Sequence, residues 1–175
     1  LWRGVFEVVS ARERAGISTR SLIPMQTVFA RKAPDAAGTR RYKARAVVCG
    51  NFQKESPAEG DLFTANVDIA SFRLAMSLAA THRWHIGGLD VSTAFLNADL
   101  PHASGEVYCT PPPDFVRFGL VPPGEVWRIR KALYGLRVAP RAWAEHRDGA
   151  LKELKLSVGG ATAHLEQSDA DPALW

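Results

Sequence analysis

The chain has 175 residues, enough for one ordinary domain or for two small lobes that share a core. Apolar residues make up 46% of it and charged residues 23%, a balance typical of globular chains and not of disordered ones. No stretch approaches the roughly 20 consecutive apolar residues of a membrane-spanning helix, so we expect no membrane partner. Two cysteines, Cys49 and Cys109, are too few for a disulfide framework or a metal cluster, and we expect both to be small buried hydrophobes.

The positive charge is modest overall but unevenly spread. There are 22 basic and 18 acidic residues, which gives a net charge of +4. Residues 31–54 hold a dense basic run opposed only by Asp35, and a second basic group lies at residues 128–141. Such local density suits a polyanion such as a nucleic acid or a triphosphate, although a solvated surface can have the same composition.

The first half of the chain predicts a hairpin, a helix and a further strand. Residues 2–9 indicate a short strand or loop. Extended runs at residues 28–31 and 41–50 flank turn residues near 35–38, which predicts a hairpin with two basic arms. A broad apolar stripe predicts a helix over residues 68–84. Residues 84–91 then favour a strand that ends at Asp90, after which residues 92–96 turn away.

The second half predicts two short strands and a second helix. The strands lie at residues 106–109 and 125–129, and the three prolines at 111–113 predict an extended, exposed path. The second helix follows Pro140 and is expected to stop at residues 159–160, both glycine. The face that we expect it to bury carries Trp143, His146, Ala150, Leu151 and Leu154. Hairpins mixed with packing helices predict the α+β class.

Asp90 is the most informative acid of the sequence. A carboxylate at the end of a strand is a common way to hold a divalent metal, although a capping or turn aspartate gives the same pattern. A metal site for phosphoryl transfer needs at least two acids. The candidates for the second are Asp61, Asp68, Asp99, Asp169 and Asp171, and spacing alone places none of them. The histidines form no ligand pair of zinc spacing, and the sequence contains no glycine-rich phosphate loop.

Four segments together resemble the reverse transcriptase of copia-type retrotransposons. They are RYKARAVVCG at residues 41–50, LDVSTAFLN at 89–97, EVY with the following prolines at 106–113, and KALYGLRVAPRAW at 131–143. The resemblance covers nearly the whole chain. It implies a right-hand polymerase fold with an antiparallel sheet and packing helices, of which this chain would be the fingers and part of the palm. Residues 1–83 and 103–136 would be the fingers-like part, and residues 84–102 and 137–175 the partial palm.

The resemblance also implies a reaction and a catalytic acid. The reaction is template-directed nucleotidyl transfer, with an RNA or DNA template–primer, deoxynucleoside triphosphates and Mg²⁺ (or Mn²⁺). Asp90 matches the first catalytic carboxylate, which would bind two metal ions with the help of the Val91 carbonyl. Backbone N–H groups of Thr93 and Ala94 would lie under the phosphates, and Phe95 matches the steric gate against the ribose 2′-hydroxyl.

The same resemblance assigns the remaining binding residues. Tyr134 and Gly135 match the segment that supports the nucleotide and the template base. Lys43 and Arg45 match fingers residues that reach the triphosphate, where the planar guanidinium suits phosphate oxygens. The nucleic-acid contacts assigned to the same hairpin are Lys32 and Arg41.

The Tyr-x-Asp-Asp motif that carries the family's second pair of acids does not occur in these residues, nor do thumb or ribonuclease H segments. We therefore expect a truncated domain that is inactive by itself. We also expect self-association through an exposed sheet edge beside the Asp90 strand, because the strands with the second acids would lie next to it. Two other functions stay open, namely a non-catalytic relic that binds nucleic acid and a structural or interaction fragment.

Overall fold

The structure, a computed structural model, describes residues 4–53, 64, 66–101 and 105–175. These residues form a mixed fold of strands and four α helices, which confirms the predicted α+β class. The strands are β1 (Phe6–Val8), β2 (Ile23–Arg31), β3 (Tyr42–Val48), β4 (Val107–Thr110), β5 (Trp127–Ile129), β6 (Lys155–Val158) and β7 (Ala161–His164). The helices are α1 (Ala11–Arg14), α2 (Ile69–Thr81), α3 (Pro113–Arg117) and α4 (Ala139–Glu153). None of these helices is both long and apolar enough to cross a membrane.

Five strands form one sheet in the order β1-β5-β4-β2-β3. Neighbouring strands are antiparallel except β2 and β4, which run parallel through a short pairing at the start of β2. β6 and β7 form a separate two-stranded hairpin. Beyond its first residues β2 pairs, within the described part of the chain, with β3 alone, so the distal half of the β2–β3 hairpin extends away from the rest of the sheet.

The core lies on one face of the sheet. Alternate strand residues point into it, among them Met25, Cys109 and Trp127, and the Phe6 ring stacks on Trp127 with centroids 3.9 Å apart. The segment that leads into α4 closes this core with apolar side chains at residues 132–142. Cys109 is fully buried as predicted, and burial raises the pKa of its thiol to about 12, whereas Cys49 is only half-buried.

The predicted basic hairpin is confirmed. β2 begins earlier than the sequence indicated, at Ile23, and both arms extend to a turn held by Asp35. The Asp35 carboxylate accepts hydrogen bonds from the N–H groups of Ala37 (3.0 Å) and Thr39 (2.9 Å). An aspartate that accepts bonds from the next few N–H groups is the usual stabiliser of such a turn.

The predicted first helix is confirmed, but it packs little. The Asp68 side chain caps α2 by accepting a hydrogen bond from the N–H of Ala70 at 2.7 Å. Of the thirteen residues of α2 only Ala79 is buried. The exposed apolar side chains of this helix are Ile69, Phe72, Leu74 and Leu78. The α+β prediction assumed packing helices, but within the described residues the apolar stripe of α2 is largely uncovered.

The strand predicted at residues 84–91 is absent. This stretch follows α2 without regular structure, and every residue from 80 to 93 is exposed. A strand needs a hydrogen-bonded neighbour, and no described segment lies alongside. Two adjacent glycines, Gly87 and Gly88, further weaken its extended conformation. Asp90 therefore lies on an exposed connecting segment and not at the end of a sheet strand.

Two further expectations, the exposed path of the prolines and the end of the second helix, are wrong. Pro111 and Pro112 are buried and not exposed, and Pro113 begins α3, where a missing N–H costs nothing. Helix α4 ends at Glu153, before the two glycines expected to stop it. Those glycines, at residues 159–160, have φ values of +58° and +86° and form the two-residue turn between β6 and β7.

The buried face of α4 also differs from the predicted one. Its buried residues are Ala139, Ala142 and Ala144, in the N-terminal half. Small side chains let this half approach the 3-10 turn at Ala94–Asn97 and the core closely, whereas Leu154 stays largely exposed. The apolar pattern indicated a helix correctly but not which of its faces would meet the core.

Candidate functional site

A close backbone contact joins β3 to the segment around Tyr134. The N–H of Val48 donates a hydrogen bond to the carbonyl of Tyr134 at 2.8 Å. Gly135 has a φ of +91°, and a Cβ there would collide with the Val48 carbonyl. A Cβ on Gly50 would in turn collide with the Gly135 carbonyl. Both positions therefore need glycine, because a side chain would push the Tyr134 segment off the end of β3.

This contact brings three of the predicted site residues together. The rings of Phe95 and Tyr134 are 5.1 Å apart, centroid to centroid, and inclined at 59°. The Arg45 guanidinium lies 6.0 Å from the centroid of the Tyr134 ring, at the outer limit of a cation–π contact. A half-buried arginine thus lies beside two half-buried aromatic rings, an arrangement that offers both charge and stacking to a ligand.

Thr93 and Ala94 directly precede Phe95. Thr93 is the residue before the 3-10 turn Ala94–Asn97 and has a left-handed backbone conformation with φ of 52°. Its carbonyl accepts a hydrogen bond from the N–H of Leu96 at 2.8 Å. A non-glycine residue with a left-handed backbone conformation is strained, and such residues are most often found at turns and functional sites.

The strand register places four of the hairpin's basic residues on one face, whereas Arg31 lies on the other. Lys43 pairs with Ala30 and Arg45 with Val28, so their side chains share a face by strand alternation. The N–H of Lys32 donates to the carbonyl of Arg41 at 2.9 Å, and the same alternation places this pair on that face. We call the set of Lys32, Arg41, Lys43 and Arg45 the basic face. The sequence left this register open.

The opposite face of the hairpin carries aromatic residues that sequence reasoning missed. Phe29 pairs with Ala44, and Tyr42 pairs with Arg31, on the face that continues into the core through Met25 and Val48. Phe29 is 69% exposed and Tyr42 76% exposed. Such exposure is unusual for two aromatics that are diagonal neighbours on adjacent strands. We call Phe29 and Tyr42 the aromatic face. The alternation of residues 28–32 with residues 41–45 was the signal that could have separated the two faces.

The second basic group behaves differently from the hairpin, because acids neutralise it. Arg128 forms ion pairs with Glu7, Glu13 and Glu106, and Arg130 with Glu7 at 2.7 Å. The Arg130 hydrogen bond holds the pKa of the Glu7 carboxyl below its usual range. No ion pair of the described residues involves the cations of the hairpin. The hairpin is therefore the stronger candidate for a polyanion contact.

The metal site predicted at Asp90 is not complete in the described residues. Asp90 and Val91 are exposed, and no three His, Cys, Asp or Glu side chains in the described part of the chain could hold a metal ion together. A single carboxylate holds Mg²⁺ poorly. Asp90 has the right donor chemistry for one ligand, but these residues by themselves do not form the site.

The other candidate acids have structural roles. Asp68 caps α2, and Asp99 forms an ion pair with Lys131 at 3.0 Å. Asp171 is buried in the loop near the end of the chain and is bonded to backbone N–H groups, whereas Asp169 is exposed. Asp61 lies outside the described residues. None of the described ones lies in a group that could complete a site with Asp90.

Comparison with known proteins defines the class of this chain. Residues 5–165 match the family described as "Reverse transcriptase (RNA-dependent DNA polymerase)". The chain therefore belongs to the reverse transcriptase family. No solved structure gives a significant match to it.

The relatives narrow the class further. A "Retrovirus-related Pol polyprotein from transposon RE2" of Arabidopsis thaliana is 36% identical over 123 residues, 70% of this chain. The corresponding polyprotein from transposon RE1 of the same plant is 34% identical over 123 residues, and that from transposon TNT 1-94 of Nicotiana tabacum 39% over 112. These names agree with a copia-type reverse transcriptase, as the sequence motifs predicted. The chain spans 8% of the length of each relative.

Proposed function

We propose that this chain forms the nucleotide- and template-binding part of a copia-type reverse transcriptase, an RNA-directed DNA polymerase. The substrates would be deoxynucleoside triphosphates on an RNA or DNA template–primer. The observation that carries this proposal is the register of the β2–β3 hairpin. It places Lys43 and Arg45 on the same basic face, where Arg45 lies beside the Tyr134 ring and Tyr134 contacts Phe95.

The basic face would bind the triphosphate and the backbone phosphates. Arg45 suits the triphosphate because a guanidinium can donate two hydrogen bonds to phosphate oxygens at once. The Tyr134 and Phe95 rings would support the base and the sugar, with Phe95 as the gate against the 2′-hydroxyl. The N–H groups of Thr93 and Ala94 would lie beneath the phosphates, and Gly135 would hold Tyr134 against β3.

The division into fingers and partial palm is part of the same proposal. All five strands of the large sheet fall within residues 1–83 and 103–136, the ranges assigned to the fingers-like part. The ranges assigned to the partial palm, 84–102 and 137–175, hold Asp90, α4 and the β6–β7 hairpin. The agreement between these ranges and the sheet supports the division.

Asp90 would contribute one carboxylate, and Val91 its carbonyl, to a site for Mg²⁺ or Mn²⁺. When bound, such ions would activate the primer 3′-hydroxyl and neutralise charge on the triphosphate. The residues described here supply too few acids for that site. A second candidate function, nucleic-acid binding without catalysis, is favoured by this observation, because the basic face needs no metal to bind phosphates.

The test of the proposal is the salt dependence of binding to a primer–template duplex. Reversing charge with Lys43→Glu and Arg45→Glu together should weaken binding and reduce the slope of log K against log salt by up to about 1.8, close to 0.9 for each lost phosphate contact. The matched control is Arg12→Glu with Arg20→Glu, which makes the same change in net charge at two exposed residues outside the hairpin.

The control pair should leave the slope nearly unchanged. Equal slopes for wild type and the Lys43/Arg45 variant would show that the hairpin is not the contact surface. Equal effects of both double variants would show that binding depends on the net charge of the chain and not on the hairpin. Either result would remove the main support for the proposal.

A further inference from the structure

The Asp171 carboxylate is an unusual feature of the fold. It is the one buried polar or charged side chain among the described residues, with 6% of its surface exposed. One oxygen, Oδ2, accepts a hydrogen bond from the N–H of Asp68 at 2.9 Å, and Oδ1 accepts one from the N–H of Ala173 at 3.0 Å. The Ser71 side chain also interacts with this carboxylate and lowers its pKa. Both carboxylate oxygens thus accept a backbone hydrogen bond, and Asp68 and Ser71 lie at the start of α2.

Helix α2 has little else to fix its position. Its apolar side chains are largely exposed, so burial of apolar surface contributes little to holding it. The segment that follows, up to residue 93, is exposed throughout. The hydrogen bond from the Asp68 N–H to Asp171, which spans 103 positions in sequence, is therefore the main polar attachment of α2 to the rest of the described chain.

The loop that carries Asp171 is itself well fixed. The N–H of Leu174 donates to the Asp171 carbonyl at 2.9 Å, and the N–H of Ser168 donates to the Leu174 carbonyl at 3.0 Å. The Lys152 ammonium, on α4, lies 5.9 Å from the centroid of the Trp175 ring. The loop at residues 168–175 thus connects α4 to the beginning of α2.

We propose that Asp171 is a positioning residue that fixes α2 and, through α2, the Asp90 segment relative to α4. Asp90 lies nine residues after the last residue of α2, and the N–H of Trp84 returns to the Ala79 carbonyl at 2.8 Å, so the start of that segment follows the helix. The anchoring stands on geometry alone. Only its relevance to catalysis, as the placement of Asp90, rests on the proposed function.

The test is amide hydrogen exchange of the whole 175-residue chain. Asp171→Asn keeps the shape of the side chain but leaves one N–H facing an amide nitrogen, which costs a buried hydrogen bond. Amides of residues 69–81 should then exchange at least about tenfold faster, while amides of the β4–β5 pair keep their protection. The matched control is Asp169→Asn, which makes the same charge change two residues away on an exposed side chain.

A pH profile supplies a readout that a general packing defect would not change. The three hydrogen bonds hold the pKa of Asp171 below its usual range. A lowered pKa in the folded state means that the anchoring is complete above the ordinary aspartate pKa, about 3.9, and is lost as pH falls through the lower folded value. The charged side chains on the elements that Asp171 joins are Asp68 at the start of α2, Asp169 on its own loop and Lys152 on α4, beside Trp175. Corrected for intrinsic rates, protection of α2 should fall over this range in wild type and stay flat in Asp171→Asn.

Three outcomes decide the proposal. Selective loss of α2 protection in Asp171→Asn, with a smaller loss at the same amides in Ser71→Ala, supports it. Unchanged protection, or equal loss in Asp169→Asn, overturns it. Loss spread evenly over the sheet would also overturn it, because the residue would then stabilise the whole fold and not position one helix. None of these outcomes depends on nucleic-acid binding, so failure here is separate from failure of the proposed function.

Discussion

Single residues set the geometry of the candidate site through backbone contacts. Gly135 and Gly50 let the Tyr134 segment lie against the end of β3, and this contact aligns the Tyr134 ring with Arg45. The side chains that would meet the ligand are thus held in place by residues without side chains. A change at such a glycine should alter the site as strongly as a change at the aromatic ring itself.

Gly135→Ala tests this at the residue scale. The variant combines a positive φ with a collision against the Val48 carbonyl, and it should lower the free energy of unfolding by more than about 3 kcal/mol. Gly124→Ala is the matched control, since Gly124 has a φ of +79° and no atom within 4 Å of the added Cβ. It should cost only about 1–2 kcal/mol. Chemical denaturation of both variants measures the difference, and equal losses would mean that the close approach at Gly135 contributes nothing.

At the scale of elements, the β2–β3 hairpin has two chemically different faces. The basic face lies on the side of Arg45, and the aromatic face lies on the side that leads into the core. Aromatic rings next to positive charge are typical of surfaces that bind single strands, because bases stack on the rings while the cations hold the phosphates. The two faces should therefore respond to different parts of a nucleic acid.

Truncation of the aromatic face separates the two contributions. Phe29→Ala with Tyr42→Ala should weaken binding of a primer–template with a single-stranded overhang by about 1–3 kcal/mol per stacked base, with little change of the salt slope. Binding of the blunt duplex should change less. Phe118→Ala is the matched control, because Phe118 is 69% exposed, as Phe29 is, and lies directly after α3, outside the hairpin. An equal loss on blunt and overhanging duplexes would show that the rings do not stack on single-stranded bases.

At the scale of the whole molecule, the arrangement of acids limits catalysis. Asp90 is the one catalytic acid that we propose for this sequence, and two metal ions held about 3.5–4 Å apart need more than one carboxylate. We expect primer extension by these 175 residues alone, with Mg²⁺ or Mn²⁺, to stay at background. Extension that disappears in Asp90→Asn would contradict this expectation.

The exposed apolar surface of α2 and residues 84–91 leads to a second prediction for the whole molecule. Because residues 84–91 form no strand, self-association through the edge of that predicted strand has no structural basis in the described residues, but the apolar surface itself still favours association. Sedimentation velocity should show a weight-average mass that rises with concentration. Leu74→Lys with Leu89→Lys should reduce it, whereas Phe118→Lys with Leu120→Lys, a pair that is also exposed, should not. A monomeric mass at all concentrations would contradict this prediction.

Local chemistry in the sequence determined the elements and the family. The turn at Asp35, the cap at Asp68 and Pro140 in the first turn of α4 each act within a few residues, so the β2–β3 hairpin and helices α2 and α4 could be predicted from neighbours alone. Four motifs together, among them those around Asp90 and Tyr134, were sufficient for the family. These features depend on hydrogen bonds between residues close in sequence and on residue identity, and both can be recognised from the sequence.

Tertiary structure decided what depends on partners distant in sequence. Residues 84–91 have a strand pattern, but no strand among the described residues pairs with them, and pairing is a property of two segments. The register that separates the basic face from the aromatic face required the whole β2–β3 pairing, because a shift of one residue exchanges the faces. In the sequence Asp171 is one of several equivalent acids. The structure distinguishes it, because it is buried and bonds to the start of α2, 103 positions away in sequence. Sequence pattern fixes which groups are present, but burial and long-range hydrogen bonds determine which of them serve structure and which remain free to bind.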